Sequence, residues 1–236
     1  MINYGIIFND TSRSRAYIQL LIKSMNPPSY FLVMDSFNSN GIPKKNKGTP
    51  SPVSDYKFEN KNWSFNPNED IETTLNKNSL QYDKISVSDI NESKVIDTLK
   101  SIDLEYFVYS GSGGVILKKH LFKLGKKFIH SHGGYLPNYQ GSTCNYYSIL
   151  NNDDIAASVI IMNEKIDDGP ILLRKKFKAN FEKSLIDYYY DPLIRAITLT
   201  QALNNLDFSH ENLIENLASK ESMYYVIHPV LKHLAI

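Results

Sequence analysis

Within the first 36 residues the chain sets a short apolar run, a helical stretch and a second apolar run in close succession. YGIIFN (4–9) has the length of one buried strand, and YFLVMDS (30–36) that of another. Between them lies DTSRSRAYIQLLIKSM, with Thr11 or Ser12 placed to cap a helix and Tyr17, Leu20, Leu21 and Ser24 on one helical face. A helical connection of this length suits parallel strands, whereas an antiparallel pair needs only a tight turn. The start of the chain therefore predicts a βαβ unit and a parallel sheet.

The same rhythm returns further on. KISV (84–87) reads as a strand, SDINESKVIDTLKSI as a helix and LEYFVYS (104–110) as a central strand. LKKHLFKLGKK follows as a helix ending near Gly125, and KFIHSH as another strand. Beyond Pro137, STCNYYSILNN predicts a helix, IAASVIIMN a strand, and EKIDDGPILLRKKFKA a loop and a strand. DYYYDPLIRAITLTQALNNL is an amphipathic helix with a proline near its start, and SMYYVIHPVLKHLAI is an aromatic, apolar end that should pack on the core. Residues 38–80 interrupt the pattern: rich in Asn, Lys, Pro and Ser, they read as a long solvated insertion or as a substrate-side flap carrying Tyr56, Phe58, Trp63 and Phe65. The expected organisation is a domain over 1–180 with this insertion, followed by an extension over 181–236.

Composition narrows the function. With 236 residues the chain can bury a sizeable core. A formal net charge of +1 makes no electrostatic case for nucleic acid or an anionic membrane. The single cysteine, Cys144, excludes an intrachain disulfide. No apolar run approaches the roughly 20 residues that span a bilayer, and the start lacks a signal-peptide pattern. A cytoplasmic protein without nucleic acid or membrane partners is expected.

Three segments carry candidate chemistry. His130 and His132, at i and i+2, project from one face at the end of a strand, where ligands bind in open α/β sheets. Asp167 and Asp168 precede Gly169 and Pro170; this is turn chemistry, or a carboxylate aimed at the histidine pair. SGSGGVIL (110–117) lacks the dinucleotide fingerprint, yet Gly111, Gly113 and Gly114 would let backbone approach a flat ligand closely. His130, His132 and Asp167 have the types for a metal site, but their spacing does not demand one, and no metal is expected.

Taken together, HSHGGYLPNYQGSTCNYYSILNNDDIAASVIIMNEKIDDGPILL resembles the catalytic core of the folate-dependent formyltransferases. That family carries Asn-x-His, a short loop to Leu-Pro, a Tyr-x-Gly, a helix, a strand and a Leu-Asp-x-Gly loop. The resemblance implies an open, mostly parallel Rossmann-like α/β sheet with helices on both faces and a short C-terminal extension. It implies transfer of a formyl group from 10-formyltetrahydrofolate to a primary amine, with a nucleotide-linked amino sugar preferred as acceptor and a homodimer admitted. By position the family histidine falls on His132 and the aspartate on Asp167. The family asparagine falls on His130, where this sequence departs. An imidazole N–H at 130 would then replace an amide as oxyanion donor, better when charged, with activity falling above about pH 6.5; Asn145 is the alternative donor. The pterin is expected along Gly111, Gly113, Gly114 and Ile116 and near Asp168 and Gly169. The alternatives are a 10-formyltetrahydrofolate hydrolase and a non-catalytic folate or sugar-nucleotide binding protein.

Overall fold

A computed structural model describes residues 2–35, 56–87, 89–151, 154–205, 213–217 and 222–236. The first expected unit forms as read: β1 (Tyr4–Phe8), α1 (Ser12–Leu21) and β2 (Tyr30–Asp35), with β1 and β2 parallel. Thr11 caps α1, its hydroxyl accepting from the Ser14 amide at 3.2 Å. A hairpin, β3 (Tyr56–Phe58) and β4 (Lys61–Trp63), and α2 (Ile71–Lys77) come next. They lead into β5 (Asp83–Ser86), α3 (Ser93–Ser101), β6 (Tyr106–Ser110), α4 (Lys119–Phe122) and β7 (Lys127–His132). The chain continues through β8 (Gln140–Gly141), α5 (Cys144–Leu150), β9 (Ile155–Ile161) and β10 (Ile171–Phe177). A π-helical turn at Ile186–Tyr190 runs into α6 (Asp191–Asn205), and β11 (Met223–Tyr224) and α7 (Pro229–Ala235) follow.

Seven strands form one sheet in the order β10-β9-β7-β6-β1-β2-β5. The five from β5 to β7 are parallel; β9 runs antiparallel to β7, and β10 antiparallel to β9. The fold is thus the open, mostly parallel α/β sheet expected. Side chains alternate along each strand, as the pleat requires. Ile6, Val108 and Ile129 join the core under α1 and α6, while Ile7, Phe107 and Phe128 join Val95, Leu99 and Leu121 of α3 and α4 on the other face. His130 and His132 share the face of Phe128; Ser131 points the other way, beneath α6.

Two expectations change here. The helix read from LKKHLFKLGKK contracts to the single turn of α4, because the chain reverses at Gly125, whose φ of +72° favours glycine. The described part of the 38–80 segment is neither a solvated loop nor a substrate flap. Its aromatics complete the core: Phe58 packs on Phe177 with ring centroids 4.3 Å apart, Phe65 stacks on Tyr189 at 4.9 Å, and Tyr56 meets Phe177, Phe181 and Tyr190. Residues 36–55 lie outside the described residues.

Candidate functional site

The strand order reverses between β1 and β6, the place where an open α/β sheet leaves a crevice at its carboxyl edge. A cleft of about 370 Å³ lies at that edge, within the size range of small-molecule sites. Its inner wall is made by Arg13 after β1, Ser112 to Leu117 after β6, and His130 near the end of β7. Residues 162–167, between β9 and β10, form one flank, and Met223 to Val226 close the other.

His132 lies behind this wall, 4% exposed. Its Nδ1 is 3.3 Å from Asp167 Oδ2, and its Nε2 is 2.8 Å from the carbonyl oxygen of Tyr139. Both neighbours are acceptors, so the ring makes both hydrogen bonds at once only with a proton on each nitrogen. Gly134 permits the approach: a Cβ there would lie 2.7 Å from His132 Nε2 and 2.6 Å from Tyr139 O. Asp167 does line the cleft. Its carboxylate also accepts the Gly141 amide at 3.1 Å, and its backbone stands in the left-handed region, φ +49°. The Asn216 amide holds that backbone by donating to the carbonyls of Asp167 and Gly169 at 2.9 and 3.0 Å.

His130 differs from its neighbour. Its Nδ1 faces the Tyr109 carbonyl oxygen at 3.4 Å, so the neutral ring keeps its proton there. Nε2 is left as a lone pair, without a protein partner among the described residues. Burial, reinforced by the Arg13 and Arg195 cations and opposed by Asp167, pushes its pKa down to about 3. That direction disfavours the charged oxyanion donor expected at this position. Asn145 is not a substitute donor either. Its amide donates to Asp191 Oδ1 at 2.8 Å, and its oxygen accepts the Ala156 amide at 2.8 Å.

The chain matches the family model described as formyl transferase over residues 38–191. It belongs to the formyl transferase family. Among curated relatives, the methionyl-tRNA formyltransferase of Finegoldia magna is 27% identical over 55% of this chain and 42% of its own. That of Mycoplasmopsis pulmonis is 31% identical over 41% of this chain and 34% of its own. The chain thus matches less than half the length of either. Among solved structures, a sugar N-formyltransferase from Shewanella sp. has a TM-score of 0.54 at 17% identity, covering 99% of this chain and 86% of its own. A phosphoribosylglycinamide formyltransferase from Bacillus halodurans has 0.54 at 12%, covering 86% and 94%. At such identities the likeness is one of fold.

The other expected site residues divide. Gly113, Gly114 and Ile116 line the cleft, and a Cβ on either glycine would enter open space. Gly111, Asp168 and Gly169 are not on its wall. A Cβ on Gly111 would lie 2.0 Å from the Tyr109 hydroxyl, and one on Gly169 1.8 Å from Ile161 O, so both glycines serve close packing. Asp168 faces Asn163 and Lys165.

Sequence reading missed two parts of the wall. Arg13, one of two arginines in the SRSR start of a helix, looks like an ordinary solvated residue. The Met223–Val226 segment reaches the cleft because β11 pairs in parallel with β8, with Tyr224 stacked 5.4 Å from Tyr139 and packed 4.6 Å from Tyr147. The tyrosines of YYVIHP were the available signal. Among the described residues, no helix is long and apolar enough to cross a membrane, and no cluster of three or more His, Cys, Asp or Glu could hold a metal ion.

Proposed function

We propose that the chain transfers a formyl group from 10-formyltetrahydrofolate to a primary amine of a small acceptor, a nucleotide-linked amino sugar. The observation that carries the reading is Asp167: a carboxylate on the cleft wall, backed by a histidine 3.3 Å away and held in an unfavourable backbone conformation. A carboxylate so placed suits removal of a proton from an attacking amine. The chemistry of the lining fits the donor. Gly113 and Gly114 leave room for a flat heterocycle, and Val115, Ile116 and Met162 offer apolar contacts. When bound, the donor supplies an activated formyl carbon.

The residues then divide the work. Nε2 of His130 accepts a hydrogen bond from one amine N–H and orients the nitrogen lone pair toward the formyl carbon. As the new C–N bond forms, Asp167 takes the amine proton, and the His132 Nδ1–H steadies its carboxylate until then. The bond from the formyl carbon to the folate nitrogen breaks, and the proton passes to that nitrogen. The near-neutral total charge supports a small acceptor over a nucleic acid.

The test is release of tetrahydrofolate from 10-formyltetrahydrofolate in the presence of a panel of nucleotide-linked amino sugars. Turnover that depends on one of them supports the reading. Release without any amine makes the chain a hydrolase. Tight binding of donor or nucleotide sugar without turnover, for every amine tried, makes it a binding protein.

A further inference from the structure

Arg13 stands out among the charged groups of the cleft. Asp167 is paired with His132, and Lys165 lies 3.5 Å from Asp168. On α6, packed against α1 on the same face of the sheet, Arg195 has Asp191 at 2.7 Å. Arg13 has no carboxylate within ion-pair distance among the described residues. Its guanidinium donates to two neutral oxygens, Nε to Ser110 Oγ at 3.2 Å and Nη2 to the Gly111 carbonyl at 2.5 Å. These contacts aim the group and leave its charge unmatched. Both Nη1 hydrogens and one on Nη2 remain, in the planar fork that matches two oxygens of one anion. The position is also costly to keep: burial lowers the Arg13 pKa and the nearby Arg195 cation adds to that, while Tyr17 and Asp191, which is beyond ion-pair distance, oppose it only in part.

We propose that Arg13 is the residue that recognises an anionic group, a phosphate or diphosphate, carried by the acceptor. The inference rests on the formyl-transfer reading only for the word acceptor; the anion site stands on the cleft itself. Arg13 is at the deep, strand-end side of the cleft beside His130, where the reacting amine must come. The donor also carries an anion, the carboxylates of its glutamate. Those lie a full benzoyl ring beyond the reacting nitrogen, so a donor with its formyl carbon near Asp167 holds them away from this wall. A guanidinium serves better than an ammonium at such a site because its fork fixes the direction of the anion as well as its charge.

The experiment is equilibrium binding by calorimetry to the purified full chain, which needs no turnover. Inorganic phosphate, pyrophosphate and acetate are titrated onto the wild type, Arg13→Gln and Arg13→Lys, with circular dichroism confirming that each is folded. Expected are pyrophosphate binding tighter than acetate, a loss of about tenfold to a hundredfold in Arg13→Gln, and a partial loss in Arg13→Lys. In parallel, 5-formyltetrahydrofolate and its pteroate counterpart lacking glutamate are titrated, and Arg13→Gln should bind each as the wild type does. Equal pyrophosphate affinity in wild type and Arg13→Gln overturns the proposal. So does a loss in Arg13→Gln confined to the glutamate-bearing folate, which gives Arg13 to the donor. Should Arg13-dependent pyrophosphate binding be found without formyl transfer to any amine, the reaction assigned above fails and the anion site remains.

Discussion

The two sides of the cleft are built by different means. The inner wall grows from the ends of parallel strands, and its groups are fixed by backbone hydrogen bonds and by a core packed on both faces of the sheet. The outer wall is a strap, Met223 to Val226, attached through a two-residue pairing with β8, hydrogen bonds at Ser142 and Thr143, and the rings of Tyr139 and Tyr147. Tyr225 and Val226, 78% and 75% exposed, stand at its rim. A wall of the first kind can hold reacting groups to fractions of an ångström. One of the second kind suits selection of what enters.

Substitutions can break that comparison. Asp167→Asn should lower kcat about a hundredfold to ten-thousandfold, with little change in acceptor KM. Near wild-type turnover in the folded variant removes Asp167 and the 162–167 flank from the chemistry. Gly169→Ala should cost about 3 kcal/mol in urea unfolding, because the new Cβ meets the Ile161 carbonyl oxygen; an unchanged midpoint means that the 166–169 loop moves freely. Tyr224→Ala should raise acceptor KM severalfold and cost about 1 kcal/mol of stability, the scale of one stacked ring. A fall in kcat instead would show that the strap acts through Tyr139, whose carbonyl holds His132.

The pH dependence sharpens the same contrast. His130 has its folded pKa pushed down, while in the unfolded chain it titrates near the ordinary value of about 6.5. Above that value the ring is neutral in both states and contributes no slope. Below it the unfolded chain takes a proton that the folded one refuses, so stability falls as pH falls. The loss between about pH 7 and about pH 5 should reach roughly 2 kcal/mol, and His130→Asn should remove that share. Activity should show no limb near pH 6.5 that vanishes in His130→Asn. Asp168→Asn, off the cleft wall, should change kcat less than about twofold and stability by less than about 0.5 kcal/mol.

The inner wall was largely legible in the sequence, and the outer was not. Strands β1, β2, β6, β7 and β9 announce themselves as apolar runs bounded by polar turns, and the HSHGGYLP and DDGP segments place His132 and Asp167 before any coordinate is known. Pairing between residues 140 and 223 leaves no local periodicity to read, since each strand is two residues long. Arg13 escaped because charge compensation is a property of space: only the fold reveals that, among the described residues, no carboxylate comes within ion-pair distance of it. The role of His130 depends on one carbonyl of a neighbouring strand, Tyr109 O, which decides the ring nitrogen that carries the proton. The aromatics of 56–65 were visible as residues, but their partners lie more than a hundred positions away.

Asp167 keeps a left-handed backbone that glycine or asparagine adopts more readily, and Asn216 must hold it there. A population of variants selected for heat resistance alone would therefore drift away from aspartate at this position, gaining ruggedness and losing its carboxylate. Persistence of Asp167 under such selection would mean that function, and not folding, guards the site.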